Sequence, residues 1–289
     1  MRVFRDKDLK YSQNFLYNKN LVNKLVKISN LDINDIVIEI GAGKGIITEV
    51  LSKSVNKVIA FEKDNVLFKE LALDFQNTEN VELLNEDILK YDFSKDNDYK
   101  IFSNIPFNIT TDIITKVLNA DIKPTDMFLI MQRETANRFI GNPYSKESLK
   151  SILLKVFYDS KIIYRFNKSD FKPMPNVDIV FVHFSISNKL GISDINLLKD
   201  FASYLYMLNE NTVKTKLKRL FTYNQIKNIS KQVNIDNKIT ELTFENWLYL
   251  LEIFKTKAPI SSKQLIRGYY DKYIKVQSKL DKIYKSRKK

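Results

Sequence analysis

Apolar residues along this chain follow two alternating rhythms. Short runs rich in β-formers, Ile36 to Ile40, Lys57 to Phe61, Val81 to Leu84, Tyr99 to Phe102 and Met127 to Met131, are bounded by polar or glycine-containing stretches and read as strands. Between them the apolar positions recur at three and four residues, as in Leu21, Leu25, Val26 and Ile28, then Ile46, Ile47, Val50 and Leu51, then Leu67, Leu71 and Phe75. Residues 112–118 and 132–140 continue this helical spacing. Strands alternating with helices predict a parallel sheet with helices on both faces. Two further β-rich runs, Lys161 to Phe166 and Val177 to Ile186, have no long crossover between them and are expected to pair antiparallel.

Beyond Asn188 the pattern is helical throughout: Leu197 to Leu208, Val213 to Phe221, Ile226 to Val233 and Phe244 to Phe254. The expected fold is α/β, a Rossmann-like sheet over residues 1–186 followed by a small all-helical domain over 187–289, with the boundary near 187–191. Trp247, Leu250, Leu251 and Phe254 have core spacing and are read as packing.

Ligands of such sheets sit outside the carboxyl ends of the strands. Several polar groups fall there. Glu39 precedes the turn Gly41-Ala42-Gly43-Lys44-Gly45, whose glycines let the backbone approach a ligand. The third glycine comes one place too early for a dinucleotide loop, which counts against NAD. Glu62 ends the second strand, where an acid can accept both ribose hydroxyls of an adenosine-type cofactor or simply cap a helix. Asp87 can accept from that cofactor's adenine amine, with Ile88 packed on its ring. The fourth strand ends in Ser103-Asn104-Ile105-Pro106-Phe107. Pro106 stiffens this corner, so that Asn104 and the Ile105 or Pro106 carbonyl can accept the hydrogens of an exocyclic amine while Phe107 stacks on its base. Read alone, the same residues are equally a proline turn after a buried strand. Phe171, in the stiff stretch Phe171-Lys172-Pro173-Met174-Pro175, is expected to form a second wall for a flipped base.

Composition narrows the chemistry. With no cysteine the chain has no disulfide, thiolate metal site, iron–sulfur cluster or cysteine nucleophile, and no metal is expected. The single histidine, His183, lies in an alternating strand run and is assigned no role. No apolar run is long enough for a bilayer, and residues 1–10 lack a signal-peptide core, so a cytoplasmic location without membrane attachment is expected. Of the net charge of +13, Lys255 to Lys289 carry +10, from 12 Lys or Arg against Asp271 and Asp281. A second basic stretch, residues 214–231, contains no acid. Lys7, Lys10, Lys214, Lys218, Arg219 and Arg267 are therefore candidate contacts to a polyanion, RNA above all. A solvated helix face would look the same in the last residues.

Four motifs in order, Tyr11-Ser12-Gln13-Asn14-Phe15-Leu16, Glu39-Ile40-Gly41-Ala42-Gly43-Lys44-Gly45, Ser103-Asn104-Ile105-Pro106-Phe107 and Phe171-Lys172-Pro173-Met174-Pro175-Asn176-Val177-Asp178, resemble the rRNA adenine N-6 dimethyltransferases over about residues 1–255. The resemblance implies an S-adenosylmethionine-dependent methyltransferase, acting as a monomer on ribosomal RNA. It implies that Asn14 and Leu16 close over the cofactor, that Gly41 approaches its methionine part, and that Glu62 binds its ribose hydroxyls with Asp87 and Ile88 at its adenine; Gln13, Glu39, Gly43 and Asn104 are further cofactor-binding candidates. Asn104 would then bind the target amine beside the methyl group. Ile105 and Lys44 resemble the branch that modifies 23S rRNA and gives macrolide resistance, rather than the housekeeping branch that modifies 16S rRNA. The basic stretch 261–289 extends beyond the resemblance. A non-catalytic nucleic-acid-binding relative and a nucleotide-dependent oxidoreductase are the rival readings. Intact acids at the strand ends oppose the first, and the glycine spacing and Asn104 corner oppose the second.

Overall fold

A computed structural model of the chain describes residues 14–93 and 98–277. The chain divides into two compact units, residues 1–136 with 158–187, and residues 137–157 with 188–289.

In the first unit a short strand β1 (Phe15–Leu16) leads into α1 (Lys19–Ile28), which Asn18 caps by accepting from the Asn20 and Leu21 N–H groups. There follow β2 (Ile36–Ile40), α2 (Ile46–Ser52), β3 (Lys57–Phe61), α3 (Asn65–Asp74), β4 (Val81–Leu84), β5 (Tyr99–Asn104), α4 (Thr110–Asn119) and β6 (Asp126–Gln132). The helix α5 (Arg133–Ile140) starts in this unit and ends in the other. The last strands are β7 (Tyr158–Arg165), β8 (Phe171–Lys172) and β9 (Ile179–Ile186).

The main sheet has the order β4-β3-β2-β5-β6-β9-β7. Its first five strands are parallel, and β9 runs antiparallel to both β6 and β7. Parallel strands buried on both faces need continuous apolar runs, which is why Val37, Ile38, Val58, Ile59, Ile101 and Phe102 are all buried. The chain winds outward from β2 to β4 and then returns to place β5 on the other side of β2. The β2/β5 junction is thus the topological switch point, where a crevice opens at the carboxyl edge. Ser103 on β5 donates to the Ile40 carbonyl at 2.6 Å and ties the two strands together there. The expected Rossmann-like methyltransferase sheet is thereby realised.

His183 sits on β9, with Nε2 2.7 Å from Asp126 Oδ1 and its ring stacked on Phe128. Phe171 departs from expectation. It pairs with Leu16 in a separate two-stranded sheet of β1 and β8, and its ring is 2% exposed, packed edge-on against Phe166. The loop from β7 to β9 does reach the carboxyl edge, because Ile179 pairs with Gln132 at the end of β6. The Phe171 ring nevertheless belongs to the core and is no wall for a base.

The second unit contains α6 (Leu149–Phe157), α7 (Ile192–Met207), α8 (Val213–Leu217), α9 (Tyr223–Ile229), α10 (Phe244–Lys257) and α11 (Ile260–Ile266), with residues 269–277 also helical. Thr212, Thr222 and Thr243 cap α8, α9 and α10 through their hydroxyl oxygens, each such cap contributing about 1 kcal/mol. Residues 137–157 fall here rather than in the sheet unit where the sequence pattern put them. Leu149, Ile152, Leu153 and Val156 pack in one core with Phe201, Trp247 and Phe254. The buried Glu147 anchors the segment: its N–H donates to Thr240 O, its carbonyl accepts from Tyr206 Oη, and its carboxylate accepts from Ser151 Oγ and pairs with Lys155.

Candidate active site

The carboxyl edge is built by backbone turns that side chains hold from beneath. After β2 the Gly41 and Ala42 N–H groups both donate to the Phe61 carbonyl, at 2.8 and 2.9 Å. The next N–H, of Gly43, donates to Glu62 Oε2 at 2.8 Å, while Glu62 Oε1 accepts from the Asp64 N–H at 2.8 Å. Glu62 is 3% exposed and braces the glycine turn against the start of α3. Each carboxylate oxygen keeps a second acceptor direction, so bracing is compatible with holding hydroxyls. Asn85, which the sequence reading passed over, ties the end of β4 to the same corner by donating to the Glu62 carbonyl at 2.8 Å.

Gly43 has φ +59°, and a Cβ there would lie 2.7 Å from Phe15 Cε1. The N-terminal segment is folded down on the loop at this point. It is held by pairing of Phe15 with Lys172 and Leu16 with Phe171, and by Tyr17 Oη donating to Ser169 O at 2.8 Å. Leu16 is buried; Asn14 and Phe15 are partly exposed.

Glu39 lies beneath the turn, 1% exposed. Thr48 Oγ1 donates to its Oε2 at 2.6 Å, and its Oε1 has no partner. Burial pushes its pKa up to about 8, against the Thr48 hydrogen bond and reinforced by the nearby charge of Glu62. The folded state therefore keeps a proton that the unfolded chain releases above about 4.5. Stability from this group is complete below that pH and is lost as pH rises towards about 8. The ligand-free protein should show a Tm that falls between pH 5 and 8, with Glu39→Gln flattening the profile in a calorimetric series. Identical profiles would mean that Glu39 does not titrate there.

At the end of β4, Asp87 Oδ1 accepts from the Leu89 N–H at 3.0 Å and Oδ2 pairs with Lys63 at 2.8 Å. Burial raises its pKa, but the Lys63 pairing and the Leu89 N–H outweigh it and hold the carboxyl below the usual range. Ile88 is buried beside it.

The β5 corner faces a pocket lined by Asn14, Phe15, Gly41, Asn104, Ile105, Pro106 and Phe107. Asn104 Nδ2 donates to the Asn14 carbonyl at 2.8 Å. Only the amide nitrogen can donate to a carbonyl, so this bond fixes the amide orientation, and among the described residues Oδ1 has no donor. The Pro106 carbonyl already accepts from the Ile109 N–H at 3.1 Å and from Thr110 Oγ1 at 3.2 Å. The Ile105 carbonyl has no donor among the described residues, so of the two carbonyls considered from sequence it is the one available. Glu39, Gly43, Glu62, Asp87 and Ile88 lie along the edge but do not line this pocket, and neither does the buried Phe171. Gln13, Lys7 and Lys10 lie outside the described residues.

In the second unit Lys214, Lys218, Arg219 and Arg267 are all exposed. Lys214 approaches Asp236 at 4.0 Å, and Arg219 pairs with Glu210 at 2.8 Å. Lys216, in the same basic stretch, is buried and donates to the Leu205 carbonyl at 2.8 Å, so it belongs to the core. Among the described residues no helix is long and apolar enough to cross a membrane.

Comparison with known proteins matches this arrangement to a family. The model of ribosomal RNA adenine dimethylases matches residues 5–256. A ribosomal RNA small subunit methyltransferase A of Mycoplasmopsis pulmonis is 32% identical over 245 residues, covering 82% of this chain and 94% of that protein. An rRNA adenine N-6-methyltransferase of Limosilactobacillus reuteri is also 32% identical, over 250 residues, covering 86% and 97%. The crystal structure of the 23S rRNA methyltransferase ErmE superposes with a TM-score of 0.76 at 20% identity, over 84% of this chain and 100% of that one. At that identity the likeness concerns the fold.

Proposed function

Because the chain belongs to the ribosomal RNA adenine dimethylase family and is an S-adenosylmethionine-dependent rRNA adenine N-6 methyltransferase, we propose that the Asn104 corner is where the target amine is held and that the target lies in 23S rRNA. The observation that supports the first part is the Asn104 to Asn14 hydrogen bond, which occupies Nδ2 of a pocket-lining amide and leaves Oδ1 for the acceptor role, with Ile105 lining the same pocket.

Bound S-adenosylmethionine supplies an electrophilic methyl group. The residues of this chain do the rest by positioning. An adenine amine is a poor nucleophile because its lone pair is delocalised into the ring. Acceptance of its two hydrogens by Asn104 Oδ1 and the Ile105 carbonyl favours the pyramidal nitrogen that can attack, and Phe107 at the pocket wall stacks on the base. The proton released leaves to water, so no strong general base is required. Glu62, with spare acceptor capacity, holds the ribose hydroxyls, and Asp87 with Ile88 receives the cofactor's adenine. The unpartnered Oε1 of Glu39 becomes an acceptor for the cationic methionine end of this cofactor once that charge draws off the proton Glu39 keeps in the ligand-free protein. Asn14, Leu16, Gly41 and Gly43 form the cover and floor of the same site. The reaction proceeds twice to the dimethylated base, in the cytoplasm.

The 23S assignment rests on Ile105 in the corner and Lys44 in the glycine turn, both as in the resistance branch. A second reading, the small-subunit rRNA, has its own support: the relatives from Mycoplasmopsis pulmonis and Fusobacterium nucleatum carry small-subunit names. Primer extension across both rRNAs from cells expressing the chain separates them. The expected result is a new stop in the peptidyl-transferase region of 23S rRNA, accompanied by macrolide resistance. A stop at 16S rRNA alone, in a host lacking its own enzyme, would move the assignment to the small subunit.

A further inference from the structure

The family match ends at residue 256, yet the chain continues into the second unit as ordered, docked structure. Ile266 of α11 is 1% exposed, and Ser262 Oγ donates to the Leu220 carbonyl at 2.9 Å. At the following turn Gly268 adopts φ +76°, and Asp200 of α7 receives two backbone donors there, Gly268 N–H at 2.9 Å and Tyr270 N–H at 3.0 Å. Tyr269, Tyr270 and Tyr273 then pack on the helical core. A carboxylate accepting two backbone N–H groups is a strong clamp, each such charged bond contributing more than a neutral one.

What the clamp positions is a set of cations on aromatic rings. Lys272 Nζ lies 4.3 Å from the Tyr269 ring centre and Lys199 Nζ 5.2 Å from that of Tyr270. Tyr269 meets Tyr204 edge to face at 4.8 Å. Burial raises the Tyr204 phenol's pKa, and the Arg219 guanidinium acts the other way. Glu210 holds Arg219 in place. The residues past the family match are therefore joined to α7 by two aromatic contacts, Tyr204 with Tyr269 and Lys199 with Tyr270. Residues 257–277 contribute Lys257, Lys263, Arg267, Lys272 and Lys275 against Asp271 alone. Amines leaning on rings lose little freedom when they meet an anion, and basic groups interleaved with aromatics suit a nucleic-acid backbone.

We propose that residues 257–277, joined to α7 through the Lys199–Tyr270 and Tyr204–Tyr269 contacts and clamped by Asp200, form a phosphate-binding face that grips the backbone of the RNA substrate. This rests on the rRNA methyltransferase reading above. The ligand is the RNA backbone, without base specificity.

The test is filter binding of an rRNA transcript to the full chain over a series of salt concentrations. Lys199→Glu with Lys272→Glu should weaken binding about tenfold near 0.1 M salt and reduce the log–log salt slope by about 1.5, as expected for two lost phosphate contacts. Cofactor affinity and the methyl-transfer rate at saturating RNA should be unchanged. Asp200→Ala, which removes no cation, should also lower the slope. The matched pair Lys27→Glu with Lys69→Glu, on exposed positions of α1 and α3, changes net charge equally and should leave the slope within experimental error. Equal losses in both pairs would reduce the effect to bulk charge and overturn the proposal, as would an unaltered slope in the first pair. A wild-type protein that transfers no methyl to rRNA would fail the functional reading instead, and this is seen before any variant is compared.

Discussion

Asn104→Ala should lower the single-turnover methyl-transfer rate by roughly 10²- to 10³-fold, the loss typical of removing one preorganised group from a reacting centre. Cofactor affinity should change far less, because the amide's nitrogen is spent on Asn14 and the oxygen is assigned to the target amine. Asn104→Asp separates two contributions. It retains an acceptor for the target amine but loses the donor to the Asn14 carbonyl and brings a second carboxylate oxygen against it. If orientation by Asn14 matters, Asp should be nearly as impaired as Ala. Rapid-quench kinetics with saturating cofactor and RNA check this, and a rate within threefold of wild type in Ala would remove the corner from the mechanism.

Glu62 carries the second large effect. Its two oxygens hold the Gly43 and Asp64 N–H groups, so Glu62→Ala leaves one buried and one partly buried donor without its carboxylate partner. A hydrogen bond to a charged group contributes about 1.5–3 kcal/mol, and part of that loss falls on the shape of the glycine turn. Cofactor Kd should rise by roughly a hundredfold, with a lower Tm even without ligand. Glu62→Gln should rescue little, because its amide nitrogen would oppose one of the same N–H donors. Titration calorimetry with S-adenosylmethionine, paired with thermal melts, reads both. An unchanged Kd with a lowered Tm would make Glu62 a brace only.

Much of this edge was legible in the chain before any coordinates, because strand ends are marked by a change in pattern. A β-branched run that stops at glycine, or at an acid, locates a carboxyl end whatever the tertiary context. Glu39, Glu62 and Asn104 were found that way. The groups that hold them were not. Ser103 reaches Ile40, 63 residues away, and Asn85 reaches Glu62, 23 residues away; a single polar residue gives no sign of so distant a partner. Phe171 was misread because a two-residue strand has no alternation from which to infer which side it buries. Lys216 was counted as surface charge with its neighbours, yet two main-chain carbonyls of the α7 end, Leu205 and Leu208, accept from its ammonium. Residues 137–157 were assigned with the sheet because they follow it in sequence, whereas the apolar face of α6 packs in the helical core.

The extension past residue 256 illustrates the same division between composition and placement. Its charge was evident from composition, but the sequence left a solvated face and a binding face equally open. Asp200, in the middle of α7, docks the segment on the helical core by receiving the Gly268 and Tyr270 N–H groups from 68 and 70 residues further on, a pairing that composition does not reveal.

The central claim is transfer of methyl groups to an adenine amine held at Asn104. The most direct measurement is mass spectrometry of nucleosides from rRNA incubated with the purified protein and S-adenosylmethionine. Wild type should yield N6,N6-dimethyladenosine, and Asn104→Ala almost none. Methylation at another base or ring nitrogen, or undiminished dimethyladenosine from the variant, would contradict it.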